Sequence, residues 1–327
     1  MKKARSTYLF ILLLLLTIVL FLSDLVFGSV SLSFGDLFSG ENEIHREILM
    51  NFRLPKAVTA LLVGAALAVA GLLMQTLFLN PLAGPYVLGI SSGASLGVAL
   101  FLMASSVLPI SVLGSAWGII AAAVAGALFV LLAVLAVSFR IRNSVSLLIV
   151  GMMFGSMTGS LVSVLQNYSN PDAVKLFVVW TFGSLASVTW SQMQVMLPLL
   201  LAGFFIAFIL QKRLNSFLLG ENYARGLGVS VASTRFLIIA ATGILAGAAT
   251  AFTGPIAFVG IAVPHLARGL FKTSDHRIIL PASMLCGASL LLVCDIISQI
   301  SMYAIPINAV SALFGAPLII WIILKKR

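Results

Sequence analysis

Residues able to do chemistry are sparse in this chain, and they do not cluster. His45, His265 and His276 are scattered, and Cys286 and Cys294 lie eight residues apart in one apolar run. On a helix that spacing is about two turns, too far for a disulfide. The cysteines therefore read as small packing residues. There is no CxxC and no HExxH, and the histidines lack zinc-ligand spacing, so no metal site is expected. The motifs GxxxxGK[ST] and GxSxG are missing, and no pair of carboxylates is placed for acid–base work. Neither nucleotide binding nor hydrolysis is expected of this chain itself. It reads as non-catalytic, with no cofactor of its own.

A second group of residues suits binding rather than catalysis. The stretch QKRLNSFLLGENYARGLGVS, Gln211–Ser230, places Lys212, Arg213, Glu221 and Arg225 between two long apolar runs. Phe217, Leu218 and Leu219 end at Gly220, which suits a helix stop. Glu221–Leu227 has the length of two turns, with Glu221 and Arg225 four apart on one face. Gly226 and Gly228 follow. Helices this short need a partner surface in water. The plain alternative is a solvated loop with a chance Glu–Arg pair.

The elements around this island are set by composition. Of the 327 residues 61% are hydrophobic and 9% charged, with a mean hydropathy of +1.16. A soluble domain carries about 25% charged residues, so the solvent for most of this chain is lipid. The net charge of +10 reads as membrane orientation and not as nucleic-acid binding, because no basic run is interleaved with aromatics. Apolar runs of spanning length occur near 7–27, 57–79, 115–138, 145–166, 192–210, 232–252 and 278–300. Shorter ones occur near 88–106, 256–271 and 308–324. The fold class is all-α, with about ten transmembrane helices in one transmembrane domain, 1–327. The N-terminus combines a basic start with an apolar run, as a signal peptide does, but Tyr8–Phe27 is long enough to span. A retained first helix is expected.

With the N-terminus inside, all but Arg46, Arg53, Lys56 and Lys175 of the 19 Lys and Arg fall on the cytoplasmic side. This is a strong positive-inside signal. It puts both termini and the loop 211–230 in the cytoplasm. Small residues repeat every four positions at Gly151, Gly155 and Gly159, at Gly114, Gly118, Ala122 and Gly126, and at Gly243, Gly247 and Ala251. They read as helix-packing stripes. Two segments carry Gly/Pro breaks: Asn80-Pro81 with Gly84-Pro85, and Gly254-Pro255 with Pro264 further on. Each follows a long helix and precedes a short one, in the pattern of an inverted repeat. Broken backbone at membrane depth must line a path or hold a seam. Ionisable groups within spans are few, Asp24 and Asp295 among them, which disfavours an ion-coupled carrier. Asp295 otherwise reads as an interfacial or bundle-facing hydrogen bonder.

The motifs RLPK, GLLMQTLFLNPLAGPYVLGISSGAS, WTFGSL, LLGENYARGLGVS, GPIAFVGIAVPHLAR and FGAPLIIWIILKKR occur in this order from Arg53 to the C-terminus. Together they resemble the FecCD-type permease subunits of bacterial iron-siderophore, haem and vitamin B12 ABC importers. The resemblance implies ten helices per subunit and a second permease subunit, identical or paralogous. It also implies two ATPase subunits that bind ATP and Mg, and a periplasmic or lipid-anchored solute-binding protein. The membrane would be the bacterial cytoplasmic one. The loop between the sixth and seventh helices would form two short coupling helices, carrying Leu218, Gly220, Glu221, Ala224, Arg225, Leu227 and Gly228. Asn80 and Leu82, with Ser144 and Val145, would form the cytoplasmic gate. Arg53 and Lys56 would meet acidic residues of the binding protein.

The sequence departs from the family at Gln299, where an Arg is common, and at Ala304 and Asn308, which replace an acid and a glycine. The intervening loop is also about two residues shorter, so docking there is expected to differ. A path low in charge suits a large chelate, because a bare ion needs coordinating groups. A ferric siderophore ranks first, then haem or vitamin B12, and a metal oxyanion below them. A stand-alone secondary carrier is the competing class. A membrane scaffold is the third, and the broken helices argue against it.

Overall fold

In a computed structural model of the chain, residues 2–28, 43–103, 115–141, 143–300 and 305–325 are described. Gly114, Arg142 and Ala304, singled out above or counted among the basic residues, lie outside them. The described residues form helices and connecting turns. Seven helical runs are long and apolar enough to cross a membrane: Arg5–Val26, Glu43–Leu77, Ala116–Ser138, Ser144–Tyr168, Trp190–Ile209, Val231–Thr253 and His276–Ser298. Three shorter apolar helices, Ile90–Met103, Val259–Phe271 and Ile307–Pro317, complete the ten expected from the sequence.

In chain order the helices are α1 (Lys2–Val26), α2 (Glu43–Ile48), α3 (Leu54–Leu77), α4 (Ile90–Met103), α5 (Ala116–Ser138), α6 (Ser144–Tyr168) and α7 (Pro171–Thr181). Then come α8 (Trp190–Ile209), α9 (Gln211–Phe217), α10 (Glu221–Gly226), α11 (Val231–Thr253), α12 (Val259–Phe271), α13 (His276–Ser298) and α14 (Ile307–Lys325).

Boundaries shift where local chemistry is stronger than hydropathy. The second span begins at Glu43, well before the expected 57, with a π turn at Leu49–Arg53 joining α2 to α3. Pro55 follows that turn. Its ring nitrogen cannot donate to the carbonyl four residues back, and a widened turn accommodates the missing bond. α12 starts at Val259 and not at 256, because Gly254-Pro255 interrupts the helix and Phe258 takes a positive φ. The amphipathic α7 was not anticipated. Asn170 caps it by accepting from the Ala173 N–H, Pro171 fills its first turn, and Asp172 favours the positive helix end.

The centre of the bundle is α3, α11 and α13, whose spanning windows are the most buried, at 83%, 78% and 67%. Glycine sets the helix spacing there. A Cβ on Gly64 would lie 2.3 Å from the Gly287 carbonyl, and one on Gly71 would lie 1.7 Å from the Gly260 carbonyl. Close backbone contact supplies the packing that lipid cannot drive. The stripe on α5 works in the same way against Gly93 and Gly97 of α4, through Gly126 and Ala122. Gly159 differs: nothing approaches its position. The order of long helix, break and short helix recurs in α3–α4 and α11–α12. The two breaks touch. Tyr86 Oη donates to the Ile256 carbonyl, and Ser91 and Thr250 hydroxyls pair at 2.9 Å. Pro85, Leu88 and Ile256 are buried. These broken segments therefore hold a seam, where protein groups satisfy the irregular backbone.

Candidate functional site

The residues 211–230 fold as two short helices, α9 and α10, joined by Leu218, Leu219 and Gly220. Gly220 has φ 96° and Gly228 φ 80°, conformations that L side chains rarely adopt. The pair is anchored to the bundle at two points. On α9, Asn215 Nδ2 donates to Asp275 Oδ1 at 2.7 Å, and Asn215 Oδ1 accepts the His276 N–H at 2.8 Å. His276 Nδ1 also lies 2.8 Å from Asn215 Oδ1, and its Nε2 lies 2.9 Å from the Thr76 hydroxyl. One asparagine thus ties α9 to the start of α13 and the end of α3. Burial alone raises the Asp275 carboxyl. Hydrogen bonds from the Arg277 N–H and the Asn215 amide, aided by the Arg277 and His276 charges, bring it below its ordinary value.

On α10, Glu221 does not pair with Arg225. Arg235 of α11 donates from Nη2 to Glu221 Oε1 and Oε2, at 2.7 and 2.8 Å. The Ser144 hydroxyl donates to Glu221 Oε1 at 2.9 Å, and Arg235 Nη1 donates to the Ile141 carbonyl at 2.6 Å. A buried cation in an apolar helix needs a partner, and Arg235 is only 5% exposed. This outcompetes the exposed i,i+4 pairing that the spacing suggested. Arg225 points outward, with a weak 3.4 Å bond to Asn222 Oδ1.

Burial sorts the remaining candidates. Ala224 is fully buried and Leu218 partly so, so neither presents a free face. Leu219, Tyr223 and Leu227 are 64%, 54% and 59% exposed, and Lys212, Arg213, Arg225 and Gly228 are exposed beside them. Leu219 and Tyr223 were missed, although their four-residue spacing with Leu227 was legible. The result is a set of exposed apolar side chains with basic neighbours on an anchored support.

Asn80 and Leu82 sit in the turn after α3. Asn80 Oδ1 accepts the Leu82 N–H at 2.9 Å, Leu82 is exposed, and His265 Nε2 lies 2.7 Å from the Pro81 carbonyl. Ser144 and Val145 open α6, where Asn143 Oδ1 accepts the Val145 N–H at 2.8 Å and Val145 is exposed. Both turns lie at the α9–α10 end of the bundle, since Thr76 contacts His276 and Ser144 contacts Glu221. The structure links Ser144 to Glu221, a connection between two expected groups that spacing did not reveal.

Arg53 and Lys56 lie at the opposite end. α13 runs nineteen residues from His276 to Asp295, roughly 28 Å. There Lys56 Nζ lies 2.8 Å from Asp295 Oδ2 and 3.3 Å from Asp24 Oδ1. Gln299 Nε2 donates to Asp295 Oδ2 at 2.6 Å. Arg53 Nη1 donates to the carbonyls of Leu25 and Val26, at 2.8 and 2.5 Å. Both basic residues are 5% exposed, so they hold α1, α3 and α13 together and offer little charge to a visitor. Asn308, at the start of α14, donates its N–H to the Phe182 carbonyl and accepts the Ala257 N–H at Oδ1. A glycine could not make the second bond.

α6 is the least buried of the seven long helices, with 17% of its spanning window inside, and it has the lowest mean hydropathy of them, 1.8. Ser156, Ser160, Ser163 and Asn167 form an exposed polar stripe along one side. Ser160 and Ser163 hydroxyls donate to their own helix, at the Ser156 and Gly159 carbonyls. Such a stripe tolerates an apolar setting and also offers weak polarity to a water-filled one. Among the described residues no cluster of His, Cys, Asp and Glu could hold a metal ion.

A many-helix membrane bundle with broken short helices and a short helix pair anchored at one end of it is the architecture of a transport permease. The FecCD transport family matches residues 15–325, and the chain belongs to that family. It is 37% identical to the vitamin B12 import system permease protein BtuC of Klebsiella pneumoniae, over all of this chain and 96% of that one. It is 36% identical to the hemin transport system permease protein HmuU of Yersinia pestis, over 96% and 95% of the two chains. A solved structure described as an inward-facing conformation of a proposed metal-chelate type ABC transporter superposes with TM-score 0.88 at 31% identity, covering 98% of this chain and 99% of that one. The protein is therefore an ABC importer permease of the FecCD family.

Proposed function

We propose that this chain is the membrane subunit of an ATP-driven importer that carries a large metal chelate inward across the bacterial cytoplasmic membrane by alternating access. Two copies, or this chain and a paralogue, surround the path. The polar stripe of α6 and the scarcity of charge support a weakly polar lining. Both termini and the α9–α10 pair lie in the cytoplasm, as the charge distribution supports. ATP and Mg belong to two ATPase subunits, and no cofactor resides in this chain. A periplasmic or lipid-anchored binding protein delivers the cargo. Arg53 and Lys56 enter this reading as anchors of the outer helix ends and not as docking charges.

The observation that carries the reading is the exposure of Leu219, Tyr223 and Leu227 on a support clamped by Asn215 and Glu221. Exposed apolar side chains flanked by Lys212, Arg213 and Arg225 suit a protein surface with an apolar cleft and an acidic rim. A secondary carrier has no use for it. Co-purification with the ATPase encoded for this importer tests the reading. Tyr223→Ser with Leu227→Ser should lose the ATPase while leaving expression and melting temperature unchanged. An intact chain that retains no ATPase sinks the proposal.

For the cargo, a ferric siderophore is the first reading from the low-charge path. The relatives named for vitamin B12 and hemin favour a macrocyclic chelate as the second. Titrating the solute-binding protein with ferric siderophores, haemin and cyanocobalamin separates them.

A further inference from the structure

The carboxylate of Glu221 has three attachments on three different elements. It sits on α10, its charge is held by Arg235 of α11, and its Oε1 accepts the hydroxyl of Ser144, the first residue of α6. Arg235 also grips the turn before α6 through the Ile141 carbonyl. The middle of the short α5–α6 turn, at Ile141, and the start of α6, at Ser144, are therefore both fixed to one ion pair. The other end of this arrangement is loose. α6 leaves most of its surface uncovered. Its backbone comes closest to the rest of the bundle at small residues: a Cβ on Gly151 would lie 2.4 Å from the Val87 carbonyl, and Gly155 lies beside Gly89. The other side chains it buries, Leu147, Thr158 and Val162, lie on the same narrow strip, so the helix is held along one line and is open on the rest of its circumference. Ser144 is seven residues from Gly151, about 10 Å, and Tyr168 is seventeen residues beyond it, roughly 25 Å. The helix has the proportions of a lever, with a short arm at Glu221, a glycine fulcrum against Val87–Gly89, and a long arm carrying Ser156, Ser160 and Ser163.

We propose that Glu221 is a positioning residue that transmits displacement of the α9–α10 pair to α6 through Ser144, with Arg235 holding the joint closed. Glu221 faces inward to the path helix, and the partner contact is left to Leu219, Tyr223 and Leu227. The proposal rests on the reading that α9–α10 meets an ATPase. It goes beyond that reading in assigning the internal joint, the lever and its fulcrum. Asn215 fixes α9 to the rigid centre, so only the α10 side is coupled to α6.

The test uses the full complex with its ATPase in lipid nanodiscs. Cys286 and Cys294 are replaced by alanine and Ser156→Cys is added as a reporter on the long arm. The rate of reaction with a water-soluble maleimide is measured without nucleotide and with Mg-ATP and vanadate, so no cargo is needed. The reporter should change its rate at least several-fold between the two states. Ser144→Ala leaves the ion pair intact, and it should abolish most of that difference while the ATPase still co-purifies. Ser144→Thr should restore it, and Glu221→Gln should behave like Ser144→Ala. The inference is overturned if the reporter rate does not respond to nucleotide in the starting protein, or if Ser144→Ala keeps the full response. It is also overturned if Glu221→Gln releases the ATPase while the chain still melts normally, since Glu221 would then be a partner contact. Failure of the unaltered chain to retain an ATPase would instead remove the underlying reading.

Discussion

Replacing Lys56 by methionine keeps the length of the side chain and removes its charge. Two buried carboxylates, Asp24 and Asp295, then surround the space that the ammonium filled. In the native arrangement Lys56 Nζ lies 2.8 Å from one and 3.3 Å from the other, and the three side chains are 7%, 0% and 7% exposed. Asp24 Oδ2 already lacks a hydrogen-bond partner, and Gln299 supports only Asp295. Removing one partner of a buried ion pair costs about 3–5 kcal/mol, chiefly from the charge left behind. At roughly 2 °C per kcal/mol, the melting temperature in detergent should fall by about 6–10 °C. Neutralising all three positions, as Lys56→Met with Asp24→Asn and Asp295→Asn, should recover most of that loss, because neutral groups of similar volume leave no stranded charge. Intrinsic-fluorescence melting of the single and triple variants provides the comparison. A single variant that melts within about 2 °C of the unmodified chain refutes the reasoning. So does a triple variant no more stable than the single. The first outcome would return Lys56 to the role of a surface docking charge.

Three further outcomes follow from other contacts. Ala224→Leu inserts a large side chain at a fully buried position of α10; overpacking costs about 1–3 kcal/mol, and limited proteolysis should cut the 218–228 segment faster than in the unmodified chain. Asn308→Gly removes the acceptor for the part-buried Ala257 N–H; a lost hydrogen bond of this kind costs about 1 kcal/mol, so the melting temperature should drop by about 2 °C, and Asn308→Asp, which keeps an acceptor oxygen, should avoid most of that drop. The Asp275 carboxyl is held below its ordinary value in the folded chain, so its stabilising contribution is present above its unfolded value near 3.8 and fades as pH falls through the lower folded value. Asp275→Asn should therefore shift melting at pH 6 while narrowing the gap from the unmodified chain as the pH approaches 3.

Spans were legible because lipid imposes one rule on every residue of a crossing helix. The seven long and three short runs read from hydropathy all recur as helices. What hydropathy could not supply was anything set by contacts distant in sequence. Glu221 has a cation four residues away, and local spacing points there. Its actual partner is fourteen residues on, because Arg235 is buried and cannot go unpaired. The signal was present: a lone arginine early in an apolar helix calls for an acid nearby. Lys56 gave the same signal, and Asp24 and Asp295 were each visible in apolar runs. Two turns of helix do not reveal which face is covered: Ala224 turns out buried, while Tyr223 and Leu227, four apart, are exposed.

The distribution of charge and glycine also says where this bundle can move. At its centre α3 is joined by backbone contacts to α13 at Gly64–Gly287 and to α12 at Gly71–Gly260. It is tied by buried polar groups at both ends, Thr76–His276–Asn215 at one and Lys56–Asp295 at the other. Sliding α3 along α13 would break both sets at once. That costs several kcal/mol of stranded charge at the Lys56 end alone. α6 meets a smaller penalty, since the Ser160 and Ser163 hydroxyls are satisfied by its own carbonyls, Ser144 is tied to Glu221 itself, and its tightest seam is glycine on backbone. A force applied to α9–α10 therefore meets a stiff anchor through Asn215 and a compliant one through Glu221 and Ser144. Displacement concentrates in the compliant element, and α6 carries the polar stripe that lines the path in the function proposed above.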